Sequence, residues 1–366
     1  MSQAPKQPGR LGNPNLTLRD DPRADPRMIQ AMEQLGLLDA APIPISAESG
    51  IDEVLAFCDM AEEGYEMLNN TVTSDWPELT GVFRETAVIK GVDDNDITLY
   101  IHRPERHANQ SDEKLPGILH IHGGGMVLMS AAGSLYDRWR GDLAATGMVV
   151  VGVEFRNGGG KLGPHPFPAG LNDCASALGW MNESKASLGI SGIVISGESG
   201  GANLSLATCL KAKQDNQLTA IDGIYAQCPN VSNRYLDKDP ALPSLFENDE
   251  LGLSCSMMAA LFKLYDPEGV NATNPLAWPL HASQQDMQGL PPHFISVCEL
   301  DPLRDEGIAY TRRLVEAGVT ASCRTINGVT HAGDISYRAA MPEVYEATIR
   351  DIKSFAESVC GTSVDD

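Results

Sequence analysis

Strand and helix signals alternate from Gly117 to the C-terminus, which predicts an α/β fold with a mostly parallel central sheet flanked by helices. Two further observations point the same way. The runs Gly117 to Ile121, Met148 to Phe155 and Phe294 to Cys298 carry little polar alternation, as expected of strands covered by helices on both faces. The apolar run that ends at Ile195-Ser196 leads directly into Gly197-Glu198-Ser199-Gly200-Gly201 and then a helical pattern from Ala202 to Lys213, the order of a tight strand-to-helix turn.

Taken in order, residues 1 to about 27 are rich in Pro, Gly, Asn, Asp and Arg without apolar periodicity, and predict a loosely held arm. Met28, Met32, Leu35 and Leu38, then Ile51, Val54, Leu55, Cys58, Ala61, Tyr65 and Leu68, recur at helical spacing and predict amphipathic helices broken around Pro42 to Pro44. Strand-like runs at Arg84 to Ile89 and Ile97 to His102, joined by Gly91-Val92-Asp93-Asp94-Asn95-Asp96, predict a hairpin. The alternation that follows places helices at Ser134 to Ala145 and Ala169 to Met181, and a strand at Ile221 to Gln227 after the Ser199 turn. A loop-rich stretch from Asn230 to Glu268, with one apolar helix around Ser256 to Tyr265, interrupts the pattern. It then resumes with helix Asp305 to Ala317, strand Ala321 to Ile326 and helix Pro342 to Val359. The organisation expected is an N-terminal arm and helices over 1–80, a core over 81–229, an insertion over 230–270 and the rest of the core over 271–366. The early helices and the insertion are candidates to pack together as a cap.

Composition narrows the function classes. The 366 residues carry 49 acidic and 27 basic side chains, a formal charge of -22, which argues against nucleic acid and anionic membrane surfaces as partners. No charged start followed by an apolar run opens the chain, and stretches such as Met148 to Val153 are too short to span a bilayer, so a cytoplasmic location is expected. The eight cysteines show no Cys-x-x-Cys spacing and read as reduced, mostly small core residues, with no metal site among them.

The chemistry gathers on three motifs. Ser199 stands in the Gly-x-Ser-x-Gly turn, where flanking glycines let a hydroxyl emerge at the carboxyl end of a sheet. His122-Gly123-Gly124-Gly125 directly follows a strand, and its glycines let backbone N–H groups of Gly124 and Gly125 turn toward a ligand, with Gly200 as a third donor, as an oxyanion hole requires. The alternatives are a flexible glycine loop and a phosphate-binding loop, the latter without Gly-x-Gly-x-x-Gly or a Gly-Lys-Ser/Thr ending. A serine needs a base and the base an orienting acid, and both are found after later strands, at Asp301 and His331, in the chain order Ser, Asp, His. Asp305 and Glu306 compete with Asp301 but sit where a helix begins, which explains them by helix N-terminal stabilisation. Glu299 is a reserve carboxylate or a solvated loop acid. Met28, Met32, Met257 and Met258 line an acyl pocket or are simple packing.

These motifs, with Asp301-Pro302-Leu303-Arg304-Asp305-Glu306-Gly307, Pro166-Phe167-Pro168-Ala169 and Leu290-Pro291-Pro292, resemble the bacterial hormone-sensitive-lipase-like esterases of the α/β-hydrolase fold. The resemblance runs from about Gly117 to the C-terminus. It implies a serine carboxylesterase for short-chain esters, with Ser199, His331 and Asp301 as triad, Gly124, Gly125 and Gly200 as oxyanion donors, a helical cap and frequent homodimers. It implies no cofactor and no metal. Glu198 and Gly200 stand where the family commonly has Asp or Thr and then Ala, so Glu198 is either a support for the site residues or a tolerated variant, while the resemblance implies that His122 and His165 brace loops by hydrogen bonding. Phe155 to His165 is longer and richer in glycine than the family's segment, Met126 replaces a frequent aromatic residue, and Ala332-Gly333 lacks the usual nearby Phe. Two alternatives use the same fold: an amidase or lactonase with the same triad, and a non-enzymatic binder resembling plant gibberellin receptors, which lack the catalytic histidine that His331 supplies here.

Overall fold

The computed structural model describes residues 9–39, 42–109 and 113–361. Its sheet has the order β1-β2-β4-β3-β5-β6-β7-β8. The strands are β1 (Val82–Lys90), β2 (Asp96–Pro104), β3 (Leu115–Ile121), β4 (Val149–Val153), β5 (Ile190–Glu198), β6 (Gly223–Gln227), β7 (His293–Leu300) and β8 (Ala321–Thr330). β1 and β2 form the expected hairpin, and β2 runs antiparallel to β4. From β4 through β8 every pairing is parallel, so the carboxyl ends of β3 and β5 to β8 share one edge.

The longer helices are α1 (Pro26–Gln34), α2 (Ile51–Ser74), α3 (Ser134–Ala145), α4 (Ala169–Glu183), α5 (Gly200–Gln214), α6 (Cys255–Tyr265), α7 (Arg304–Glu316) and α8 (Pro342–Val359). Strand side chains alternate between faces, and neighbouring residues show it here: Ile118, Val150 and Val194 pack with Trp139 of α3 and Ile349 and Ile352 of α8. Leu119, Val151 and Ile195 pack on the other face with Leu178 of α4, Leu206 of α5 and Leu314 of α7. Both faces are therefore covered, which is why β3 and β4 are buried at every position.

The N-terminal arm departs from expectation. Residues 1–8 lie outside the described residues, but 9–27 are tied to the body: Leu18 is buried, Arg10 donates to Asp249 O (2.8 Å), Arg23 pairs with Glu247, and Asp25 N donates to Gly328 O (2.9 Å). Scattered charged residues whose partners lie more than two hundred positions away produce no local pattern. α1 follows, with Pro26 at its first position and the Asp25 carboxylate accepting from Arg27 N.

α2 packs against α6, with Val54 and Cys58 in the same apolar cluster as Met257, Leu261 and Leu264 and Lys263 Nζ donating to Ser49 O (2.8 Å). β8 runs four residues past the predicted end at Ile326, pairing Thr330 with Leu300 after an irregularity in the β7/β8 register, and so delivers His331 to the shared edge. No helix among the described residues is long and apolar enough to cross a membrane.

Candidate active site

Ser199 occupies the junction of β5 and α5 with φ 56° and ψ -119°, a region a non-glycine residue enters only under constraint. The constraint is visible in its backbone. Ser199 N donates to Gln227 O (2.9 Å), and Ser199 O accepts from Asn203 N (3.0 Å) and Asn230 N (3.2 Å). The flanking glycines are required by closeness: a Cβ on Gly197 would lie 2.5 Å from Ile121 O, and one on Gly201 2.0 Å from the same oxygen.

Asp301 and His331 meet across the ends of β7 and β8, with His331 Nδ1 donating to Asp301 Oδ2 at 2.7 Å. Asp301 is fully buried, and its second oxygen accepts from Leu303 N (2.9 Å). Burial alone would depress the His331 imidazole, but the Asp301 carboxylate and the neighbouring Cys228 thiol outweigh it, so the ring titrates well above its ordinary value of 6.5. No hydrogen bond joins Ser199 Oγ to His331 among the described residues; catalytic contacts of this kind commonly tighten only in the reacting complex. The two sides are linked instead through the end of β6, where Gln227 O holds Ser199 N and the sulfur of the next residue, Cys228, lies within 4.8 Å of a His331 ring nitrogen.

The glycine loop lies against the Ser199 turn. Gly124 (φ 102°), Gly125 (φ 63°) and Met126 (φ 62°) take successive left-handed conformations, and a Cβ on Gly124 would lie 2.0 Å from Leu128 O. A Cβ on Gly200 would lie 2.7 Å from Gly125 N and 2.6 Å from Met126 N, so these amides crowd around the start of α5. The N–H groups of Gly124 and Gly125 donate to no other group among the described residues.

Two side chains grip Gly123. Glu198 Oε1 accepts its N–H (2.6 Å), and His122 Nδ1 donates to its carbonyl (2.8 Å) while the ring stacks on Phe155 at 4.3 Å. Burial lowers the His122 pKa despite nearby Glu154, consistent with a neutral ring that donates one proton. Glu198 Oε2 also meets His120 Nε2 at 3.2 Å. Sequence reasoning passed over His120; a histidine among the apolar residues of β3 is the signal that marks it.

The glycine-rich segment after Phe155 braces the same loop from behind. Gly158 N donates to Met126 O (2.9 Å), Gly159 N to Val127 O (2.8 Å) and Asn157 Nδ2 to Met129 O (2.7 Å). Glu62 of α2, buried between them, accepts from Met129 N and Lys161 N, both at 2.7 Å. Gly160 (φ 61°) is needed there because a Cβ would lie 2.4 Å from Glu62 Oε1. His165 contributes through its backbone alone, donating N–H to Asn157 O (2.8 Å) with its side chain exposed.

Other expectations resolve differently. Asp305 and Glu306 do start α7, but they bind distant backbone rather than their own helix: Asp305 Oδ2 accepts Ser244 N (2.7 Å), and Glu306 accepts Val231 N (2.8 Å) and Ser232 N (2.9 Å). Burial pushes the Glu306 carboxyl up to about 7 against those bonds. Glu299 Oε2 holds Gly328 N (2.9 Å) in the last bend of β8 instead of approaching His331. The four methionines are buried in two separate clusters, Met28 and Met32 under the end of β8 and Met257 and Met258 on α6.

Comparison with known proteins gives a consistent result. Residues 118–333 match a family described as alpha/beta hydrolase fold. The solved structure of brefeldin A esterase, described as a bacterial homologue of human hormone-sensitive lipase, superposes with a TM-score of 0.91 at 43% identity, covering 96% of this chain and 98% of that one. The carboxylesterase NlhH of Mycobacterium tuberculosis is 28% identical over 330 residues, 88% of this chain and 94% of its own length. An ethyl acetate hydrolase of Pseudomonas putida is 31% identical over 250 residues, 65% of this chain and 72% of its own.

Proposed function

This chain belongs to the hormone-sensitive-lipase-like esterases of the α/β-hydrolase fold and is a carboxylic ester hydrolase, and we propose that it cleaves short-chain esters through a covalent acyl-enzyme on Ser199. One observation carries the reading. At a single sheet edge the strained Ser199, the Asp301–His331 pair and the undonated amides of Gly124 and Gly125 converge.

In this mechanism Ser199 Oγ attacks the ester carbonyl carbon as its proton passes to His331 Nε2. Asp301 Oδ2 holds the Nδ1–H tautomer and stabilises the imidazolium that forms. The carbonyl oxygen becomes an oxyanion that accepts from Gly124, Gly125 and Gly200 N–H, where each donor is typically worth roughly 3 kcal/mol. Collapse breaks the bond to the alcohol oxygen, which takes the proton from His331. Water then attacks the acyl-Ser199 carbonyl with His331 again as base, releasing the acid and returning the proton to Ser199. His122 and Glu198 keep the glycine loop in place.

Small esters are favoured by the ethyl acetate hydrolase relative and by crowding at the loop. We read α2 and α6, from 1–80 and 230–270, as a cap over the site. Supporting this, Val54 and Cys58 of α2 share one apolar cluster with Leu261 and Leu264 of α6. We further read the protein as cytoplasmic and without cofactor.

The test is hydrolysis of p-nitrophenyl esters of increasing acyl length by wild type and Ser199→Ala. Loss of at least about a thousandfold in kcat, with unchanged circular dichroism, is the expected result. A Ser199→Ala protein that retains the wild-type rate overturns the assignment.

A further inference from the structure

At the end of β6 Cys228 takes φ 35°, a strained conformation for a side chain with a Cβ. Its N–H donates to Ser296 O (2.7 Å) on β7, and the residue before it accepts Ser199 N, so the cysteine is pinned between the serine turn and the Asp301 strand. As a consequence its Sγ, a ring nitrogen of His331 and a carboxylate oxygen of Asp301 all lie within 4.8 Å of one another. Acyl transfer has no use for this sulfur.

We propose that Cys228, His331 and Asp301 form a binding site for a thiophilic divalent cation, with Zn²⁺ the type ion, which competes with acyl transfer for the imidazole. The inhibitory consequence rests on His331 as general base; the binding itself does not. A thiolate, an imidazole and a carboxylate are the donor set of Zn²⁺ or Cd²⁺ rather than of Mg²⁺ or Ca²⁺, which prefer oxygen alone. On one tetrahedral Zn²⁺, ligand atoms stand roughly 3.3 to 3.6 Å apart, so this trio closes on an ion with side-chain shifts of about an ångström. The fourth position is left for water, and the partly exposed His331 offers the way in.

The protons balance without an added reagent. Cys228 must lose its thiol proton to bind. The cation itself drives that loss, since a thiol that coordinates a divalent metal gives up its proton. A proton leaves to solvent as the S–metal bond forms. Whichever nitrogen of His331 binds, catalysis stops. Metal on Nε2 occupies the lone pair that takes the Ser199 proton; metal on Nδ1 displaces the bond to Asp301 and forces the remaining proton onto Nε2.

The experiment is titration of the reduced full-length protein with Co²⁺, reading the near-ultraviolet thiolate-to-cobalt band, followed by displacement with Zn²⁺. In parallel, Zn²⁺ inhibition of p-nitrophenyl acetate hydrolysis is measured, with reversal by EDTA. The expected result is a one-to-one band in wild type that is lost in Cys228→Ala and Cys228→Ser. The Zn²⁺ concentration for half-inhibition should rise at least tenfold in the variants relative to each protein's own metal-free rate. Cys298→Ala and the exposed-site control Cys323→Ala should keep the band. No band in wild type, or a band that survives in whichever Cys228 variant folds, overturns the site. If wild type binds Co²⁺ through Cys228 yet hydrolyses no ester, the site stands and the catalytic reading falls. If Ser199-dependent hydrolysis is present with no band, only the site falls.

Discussion

The two walls of the site are held by different kinds of force. On the β7/β8 side, His331 is oriented by one charged bond to Asp301 at 2.7 Å. On the β3/β5 side, the glycine loop and its tail are held by carboxylates that accept backbone N–H groups: buried Glu198 from Gly123, partly buried Glu154 from Ala131 (2.8 Å) and buried Glu62 from Met129. A wall resting on one titrating pair should respond steeply to substitution and to pH. A wall spread over several bonds should lose function in smaller steps.

The largest effect expected is from Asp301→Asn. The amide keeps the shape, but it cannot hold the Nδ1–H tautomer or stabilise imidazolium, so kcat should fall about 10³- to 10⁴-fold with little change in KM. Steady-state kinetics with p-nitrophenyl acetate checks this, and a loss below tenfold would mean that another acid orients His331.

Glu198→Gln tests the other wall. The Gly123 N–H can still meet an amide oxygen, but the His120 contact at 3.2 Å is replaced by an NH₂ group, and the loop should shift by a fraction of an ångström. Since one oxyanion donor is worth about a hundredfold, a displaced loop should lower kcat about 10- to 100-fold with KM within about twofold. A change confined to KM would assign Glu198 to substrate binding. Glu62→Ala acts further out, freeing Met129 N and Lys161 N together. It should cost about 2 to 4 kcal/mol of stability, seen by urea denaturation, and less than tenfold in kcat per phosphonate-titrated site.

What the sequence made legible follows from which interactions are local. Gly197 to Gly201, His122 to Gly125 and the strand–helix alternation depend on residues next to one another, so periodicity and turn chemistry reveal them. Asp301 and His331 stand out as candidates because a strand end is a place that short patterns can locate. Glu62 on the glycine segment, Glu306 on Val231 and Ser232, and Arg23 on Glu247 could not be read, since each charge meets a partner at least 74 positions away. Cys228 was hidden for a related reason: without a spaced companion it looked like core, and its strained turn against His331 exists only once β6, β7 and β8 are side by side.

The smallest effect expected is a shift along the pH axis, and its sign separates the two contributions to His331. The groups beside the imidazole are Asp301 at the end of β7 and Cys228 at the end of β6. In the proposed mechanism the base is the neutral ring, whose folded pKa is raised, so kcat/KM should increase as pH rises and its acid limb should lie above 6.5. Removing a raising partner must move that limb down. Cys228→Ala should therefore bring it to lower pH while the Asp301 bond persists, giving a variant relatively more active than wild type on the acid side. Rates from pH 5 to 9 on an ester whose leaving group does not titrate there check this. A limb that stays in place would mean that Asp301 alone raises His331. A limb that moved upward would mean that the thiol in wild type acts mainly by enclosing the ring, with the burial effect dominant.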